Sequence, residues 1–121
     1  MRNIDERLFY SEKMIYEWQN AGLHLSALEE NKLIEITLGD RRIGLLKRGE
    51  NTYAFTAACP HAGAPLCDGW VDAMGRIVCP EHKYRFDPAN GRNTSGEGYK
   101  LFTYPVEVRE GGIFIGLPAS P

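Results

Sequence analysis

Short runs of alternating apolar and polar residues, each closed by a turn, dominate the chain. In YPVEVRE (104–110), Val106 and Val108 point one way and Glu107 and Arg109 the other, the period-2 pattern of a half-buried strand. Similar runs are KLIEITL (32–38), RRIGLLKR (41–48), TYAFTA (52–57), RIVC (76–79) and GIFIGL (112–117), all rich in β-branched or aromatic residues. Gly39-Asp40, Gly49-Glu50-Asn51, Ala89-Asn90-Gly91 and Glu110-Gly111-Gly112 supply the turn chemistry between runs. This spacing predicts an all-β chain, a small antiparallel sandwich or barrel. Pro105 suits a strand start or a sheet edge, because it has no N–H to give a ladder. SALEENK (26–32) has room for one capped helical turn. A strand is expected from about Met14, preceded by a loose N-terminal arm over about residues 1–13.

The rhythm fails between Ala57 and about Lys100, where Gly, Pro, Cys, His and Asn crowd in and only RIVC reads as a strand. Loops that long inside a compact domain are functional or are held by something other than a core. At 121 residues the chain makes about one domain, with one modest core and no space for a separate catalytic domain. Fourteen basic against sixteen acidic side chains leave −2, with no run of like charge that suggests a nucleic-acid arm or a membrane patch. The start, MRNIDERLFYSEK, carries charges in place of an apolar signal region, so a cytoplasmic location is expected. Three cysteines cannot all pair, and in a reducing compartment closely spaced Cys and His point to metal.

Both halves of such a site are visible. CPHAGAPL places Cys59 and His61 two apart, and CPEHKYRFDPANG places Cys79 and His82 three apart. Two thiolates and two imidazoles suit tetrahedral zinc or an iron-sulfur cluster in which imidazoles replace two thiolates. Zinc fingers group the two Cys together and the two His together, whereas here each loop carries one of each. That distribution suits a 2Fe-2S rhomb pinched between two loops.

These two motifs make the chain resemble the Rieske 2Fe-2S family, in particular its soluble ferredoxins, over roughly residues 14–117. The resemblance implies a single domain over 1–121: a small antiparallel β-sandwich base with an inserted, loop-rich, cluster-binding subdomain at about 57–100. It also implies one 2Fe-2S cluster, with Cys59 and Cys79 on the inner iron and His61 and His82 on the outer iron near the surface. High-potential members join the two loops by a disulfide from positions that here are Ala64 and Glu81. They carry Ser and Tyr donors to the cluster where this chain has Tyr84 and Phe86. Without those features a low potential is expected, around −150 mV.

The other prominent residues receive plainer readings. Cys67 is a small apolar filler beside the turn CDGW, and His24 a half-buried structural residue. Trp18 and Trp70 belong to the core or to the cover of the cluster. Gly96-Glu97-Gly98 forms a third shielding loop, at a place where relatives often carry proline and this chain has Tyr99 nearby. Arg76, Glu81, Lys83 and Arg85 form a solvated charged rim.

Three function classes remain. The first is a one-electron carrier between a flavin-dependent reductase and a terminal enzyme such as an oxygenase, with no catalytic site of its own and neither nucleic acid nor membrane as partner. The second is the small subunit of an assimilatory nitrite reductase or another multicomponent oxidoreductase. An oxygenase by itself is excluded, since it needs a second iron held by two His and a carboxylate, and only His24 is left over. The third is a zinc-stabilised binding module, in which metal serves folding alone.

Overall fold

The structure, a computed structural model, describes residues 8–10, 15–96 and 98–119. Described strands are β1 (Leu8–Tyr10), β2 (Ile15–His24), β3 (Ile34–Leu38), β4 (Arg41–Arg48), β5 (Asn51–Thr56), β6 (Trp70–Val71), β7 (Ile77–Val78), β8 (Arg85–Phe86), β9 (Thr103–Tyr104), β10 (Val106–Arg109) and β11 (Gly112–Pro118). All pairings between strands are antiparallel, and three sheets result: β1-β2-β11-β10, β3-β4-β5-β9, and a small β6-β7-β8. The expected all-β class holds. Among the described residues no helix is long and apolar enough to cross a membrane.

Two-residue hairpin turns build the first two sheets. Gly39-Asp40 joins Leu38 to Arg41, Gly49-Glu50 joins Arg48 to Asn51, and Glu110-Gly111 joins Arg109 to Gly112. At the last of these both central residues have positive φ (50° and 82°), the conformation whose twist matches flanking strands. In β2, Gly22 (φ 79°) sits where the register with β11 slips between Gly112 and Phe114, and its N–H is taken by the Asn20 side chain. The expected turn at 26–32 is displaced to a single 3-10 turn, Leu25–Ala27, capped by the His24 ring accepting from the Ser26 N–H. His24 is exposed and not half-buried. Residues 1–7 and 11–14, most of the expected arm, lie outside the described residues. Leu8–Tyr10 is not loose but pairs with β2.

The two larger sheets face each other across an inner core of Ile43, Leu45, Ala54, Tyr104, Ile113, Ile115 and Leu117. Pro105 stands between β9 and β10 and so carries the chain from one sheet to the other at the start of an edge strand. Val108 lies opposite the fully buried Ile113, as alternation requires, yet it is 43% exposed because the core ends before it reaches the edge strand's far end.

β4 departs from alternation: Ile43, Gly44, Leu45 and Leu46 are all buried. Ile43 and Leu45 face the inner core, while Leu46 and, opposite Gly44, Phe55 face the other way into a second core. Gly44 is required there: a Cβ on it would stand 2.2 Å from Phe55 Cε2. The β4–β5 ribbon is therefore buried on both faces, and its outer face is the floor on which residues 57–101 rest. That second core comprises Leu46, Phe55, Cys59, Ala64, Leu66, Ile77, Cys79, Phe86 and Leu101.

Candidate metal centre

The two Cys-His segments fold into the same hairpin. In the first, the Cys59 N–H donates to the Ala64 carbonyl and the Gly63 N–H to the Cys59 carbonyl, both at 2.8 Å. In the second, the Cys79 N–H donates to the Tyr84 carbonyl (2.9 Å) and the Lys83 N–H to the Cys79 carbonyl (3.0 Å). Each turn needs a left-handed residue four places after its cysteine: Gly63 at φ 74° in one, Lys83 at φ 60° in the other. Sequence reading found the spacing of the four candidate ligands but not this equivalence of the two turns, since Gly63 and Lys83 have nothing chemical in common.

The hairpins converge. The buried Cys59 and Cys79 thiols lie within hydrogen-bonding reach of each other, and the His61 and His82 rings lie 4.7 Å apart, edge to face. Burial, together with the neighbouring Cys79, pushes the Cys59 thiol up; the N–H groups of His61 and Ala62, aimed at its sulfur, pull the other way. His61 Nδ1 is buried with no hydrogen-bond partner. A buried polar atom left so costs free energy unless something fills the place beside it. Among the described residues no three His, Cys, Asp or Glu side chains converge on a single point. The donors come as a buried thiol pair and an imidazole pair, an arrangement that fits a group with two metal positions.

The two imidazoles have different surroundings. His82 is exposed. His61 is half-buried under Tyr84 (ring centroids 4.5 Å) and Tyr99 (5.2 Å), which are stacked on each other at 5.8 Å. Tyr99 comes from the third loop, whose Glu97 lies outside the described residues. That loop is fastened at its start: the Arg85 N–H donates to Ser95 Oγ, and Asn93 Oδ1 accepts from the N–H groups of Ser95 and Gly96.

Asp72 was missed by sequence reading. One carboxylate oxygen accepts the N–H groups of Met74 and Arg76, and the other accepts Nε of both Arg76 and Arg85. Arg76 and Arg85 are therefore structural and not a free rim, whereas Glu81 and Lys83 are exposed as expected. An available signal was Asp72-x-x-Gly75, a turn with Asp first and Gly last. A turn also forms over Asp87 to Gly91, with the Gly91 N–H on the Asp87 carbonyl at 2.7 Å. Phe86 is wholly buried in the second core and presents no hydroxyl.

Cys67 is half-buried against the same core, donates to the Ile34 carbonyl (3.3 Å), and is pushed up by burial to about 11. It packs as filler. Neither tryptophan belongs to a core: Trp70 is 45% exposed on β6, and Trp18 lies 5.8 Å beneath the Arg109 guanidinium.

Comparison with known proteins agrees with this geometry. The family model described as the Rieske [2Fe-2S] domain matches residues 17–105. The ferredoxin component of the alkene monooxygenase system of Xanthobacter autotrophicus is 25% identical over 84 residues, 69% of each chain. The ferredoxin subunit of 3-phenylpropionate/cinnamic acid dioxygenase of Escherichia coli is 34% identical over 79 residues, 64% of this chain and 74% of that one. Among solved structures, the ferredoxin of carbazole 1,9a-dioxygenase from Nocardioides aromaticivorans superposes with a TM-score of 0.75 at 25% identity, covering 81% of this chain and 95% of that one. Other curated relatives are much longer, and the chain spans 15% and 30% of two of them.

Proposed function

We infer the function from one premise: this chain belongs to the Rieske 2Fe-2S domain family. It is a one-electron carrier, a ferredoxin that takes electrons from a flavin-dependent reductase and passes them to a terminal oxygenase. The relatives that support this are themselves ferredoxin components of oxygenase systems. We place the carrier in the cytoplasm, where thiols remain reduced.

Cys59, Cys79, His61 and His82 hold one 2Fe-2S cluster, the two cysteines at the buried iron and the two histidines at the outer one. The observation that carries this assignment is the buried thiol pair set beside an imidazole pair with His61 Nδ1 turned inward and unpartnered. When bound, such a cluster supplies a one-electron couple whose potential depends on ligand charge, hydrogen bonds to sulfur and exposure. The chain's own residues do the rest. Cys59 must lose its proton to bind, and the N–H groups of His61 and Ala62 stabilise the thiolate that forms. Tyr84 and Tyr99 keep water from the His61 ring, and His82, at the surface, is where a partner approaches most closely.

Iron and acid-labile sulfide analysis with electron paramagnetic resonance tests the reading. About two irons and two sulfides per chain are expected, with a signal only after one-electron reduction. A colourless protein that binds zinc and contains no sulfide would establish the folding-metal alternative.

A further inference from the structure

We propose that a groove beside the metal centre, lined by Asn90, Arg92, Tyr99, Lys100 and Phe102, is the docking surface for a carboxylate-bearing segment of the protein that exchanges electrons with this chain. The proposal rests on the carrier reading above and specifies the partner's chemistry. Two adjoining cavities, about 490 and 280 Å³, share Asn90 and Lys100 as walls. No Asp or Glu among the described residues lines either one. Arg92 and Lys100 are bridge partners on antiparallel backbone segments, so two exposed cations stand opposite each other. Like charges in that position repel. Among the described residues neither has an ion-pair partner. An incoming carboxylate relieves the repulsion and gains two charge-assisted hydrogen bonds.

The groove also has apolar contact points. Tyr99 is 40% exposed and Phe102 41% exposed, one in each cavity, and aromatic anchors beside charged groups are typical of recognition surfaces. Tyr99 sets this surface beside the imidazole pair: its ring lies 5.2 Å from that of His61, which in turn lies 4.7 Å from that of the exposed His82, where a partner approaches. The segment that fits presents carboxylates with an apolar residue on either side. The whole chain carries −2, so this groove is locally opposite to the molecule's net charge.

That opposition allows a test without a known partner. The reduced, cluster-loaded protein is mixed in stopped flow with hexacyanoferrate(III), which accepts one electron and becomes hexacyanoferrate(II), over about 10 to 200 mM ionic strength. If the groove guides the approach, the rate constant falls several-fold as salt rises, although repulsion by the net charge alone makes it rise. Arg92→Glu with Lys100→Glu should invert the slope, and Lys32→Glu with Arg109→Glu, an equal charge change outside the groove, should not. Hexaglutamate at low salt should slow the wild-type reaction and leave the groove variant unchanged. The Arg92→Gln, Lys100→Gln pair, a milder change, should abolish the fall with salt and leave only the rise set by the net charge, should the reversal fail to fold. A wild-type rate that rises with salt, or equal responses from the two charge-reversed pairs, overturns the docking surface. A protein that takes up no electron overturns the carrier reading as well.

Discussion

The sandwich base and the metal-binding half bury similar numbers of side chains among the described residues, eight in one core and nine in the other, yet they are held in different ways. In the base, strands of up to ten residues satisfy most of their backbone in long ladders, and Ile and Leu dominate the buried set. In the metal-binding half every strand is two residues long, and Leu46 and Phe55 of its core are borrowed from the β4–β5 ribbon. Two more of its core residues are the thiols themselves. The half's own apolar contribution is Ala64, Leu66, Ile77, Phe86 and Leu101, too little to order long loops against their conformational entropy. Burial alone does not decide which region stands unaided. Backbone pairing does, and where pairing is sparse a metal group has to supply the missing free energy.

The largest expected effect is loss of that group. After chelation, or in Cys79→Ser, amide exchange should rise across residues 57–100 while β4 and β11 keep their protection. Uniform exchange over the whole chain would erase the distinction between the halves. Next come the two cores. Phe55→Ala and Ile113→Ala should each cost about 3–5 and 2–5 kcal/mol respectively. In a denaturant titration followed by both cluster absorbance and circular dichroism, Phe55→Ala should release the cluster well before the sheets melt, and Ile113→Ala should bring the two transitions together. Coincident transitions in both variants would mean a single cooperative core.

Asp72 sharpens the comparison through pH. Burial raises its carboxyl, but the N–H groups of Arg76 and Met74 and the Arg76 guanidinium outweigh this and hold it below the usual carboxylate range. A depressed folded pKa contributes stability above the unfolded value near 4, which is lost as pH falls through the lower folded one. Cluster release on acidification should therefore include a step that Asp72→Asn removes. The same substitution should cost about 1–3 kcal/mol at neutral pH, measured as a fall in Tm. An unchanged acid limb would show that Asp72 does not fasten this half. The smallest effect belongs to the hairpin pair: Lys83→Gly should gain, and Gly63→Ala lose, about 1 kcal/mol, because only glycine takes a left-handed φ without penalty. Equal and opposite shifts in Tm would support the equivalence of the two turns.

Most of this architecture was legible wherever the deciding contacts are local. That the two Cys-His segments come together could be read because each carries both types within four residues, and the strands of the base because their alternation runs long enough to have a period. Trp70-Val71 and Arg85-Phe86 form strands too short for any period, and each pairs with Ile77-Val78, which lies between them. Asp72 gathers Arg85 from across two strands, and Tyr99 reaches His61 from a separate loop, so neither role leaves a local trace. Trp18 was misread because hydrophobicity does not say which face of a sheet is covered. It lies under Arg109 on β2, in the sheet that does not carry the Cys-His loops.

The two matching hairpins have a consequence for engineering. Each closes through its own backbone, donor and acceptor both supplied by the six residues of the turn, and each rests on an apolar floor beside a neighbour of the same kind. A unit of that sort is transplantable. CPHAGA and CPEHKY, installed on two adjacent loops above any β-ribbon buried on both faces, carry their own amide geometry with them, and the choice of His at the third or the fourth position becomes a free variable for a designer to set.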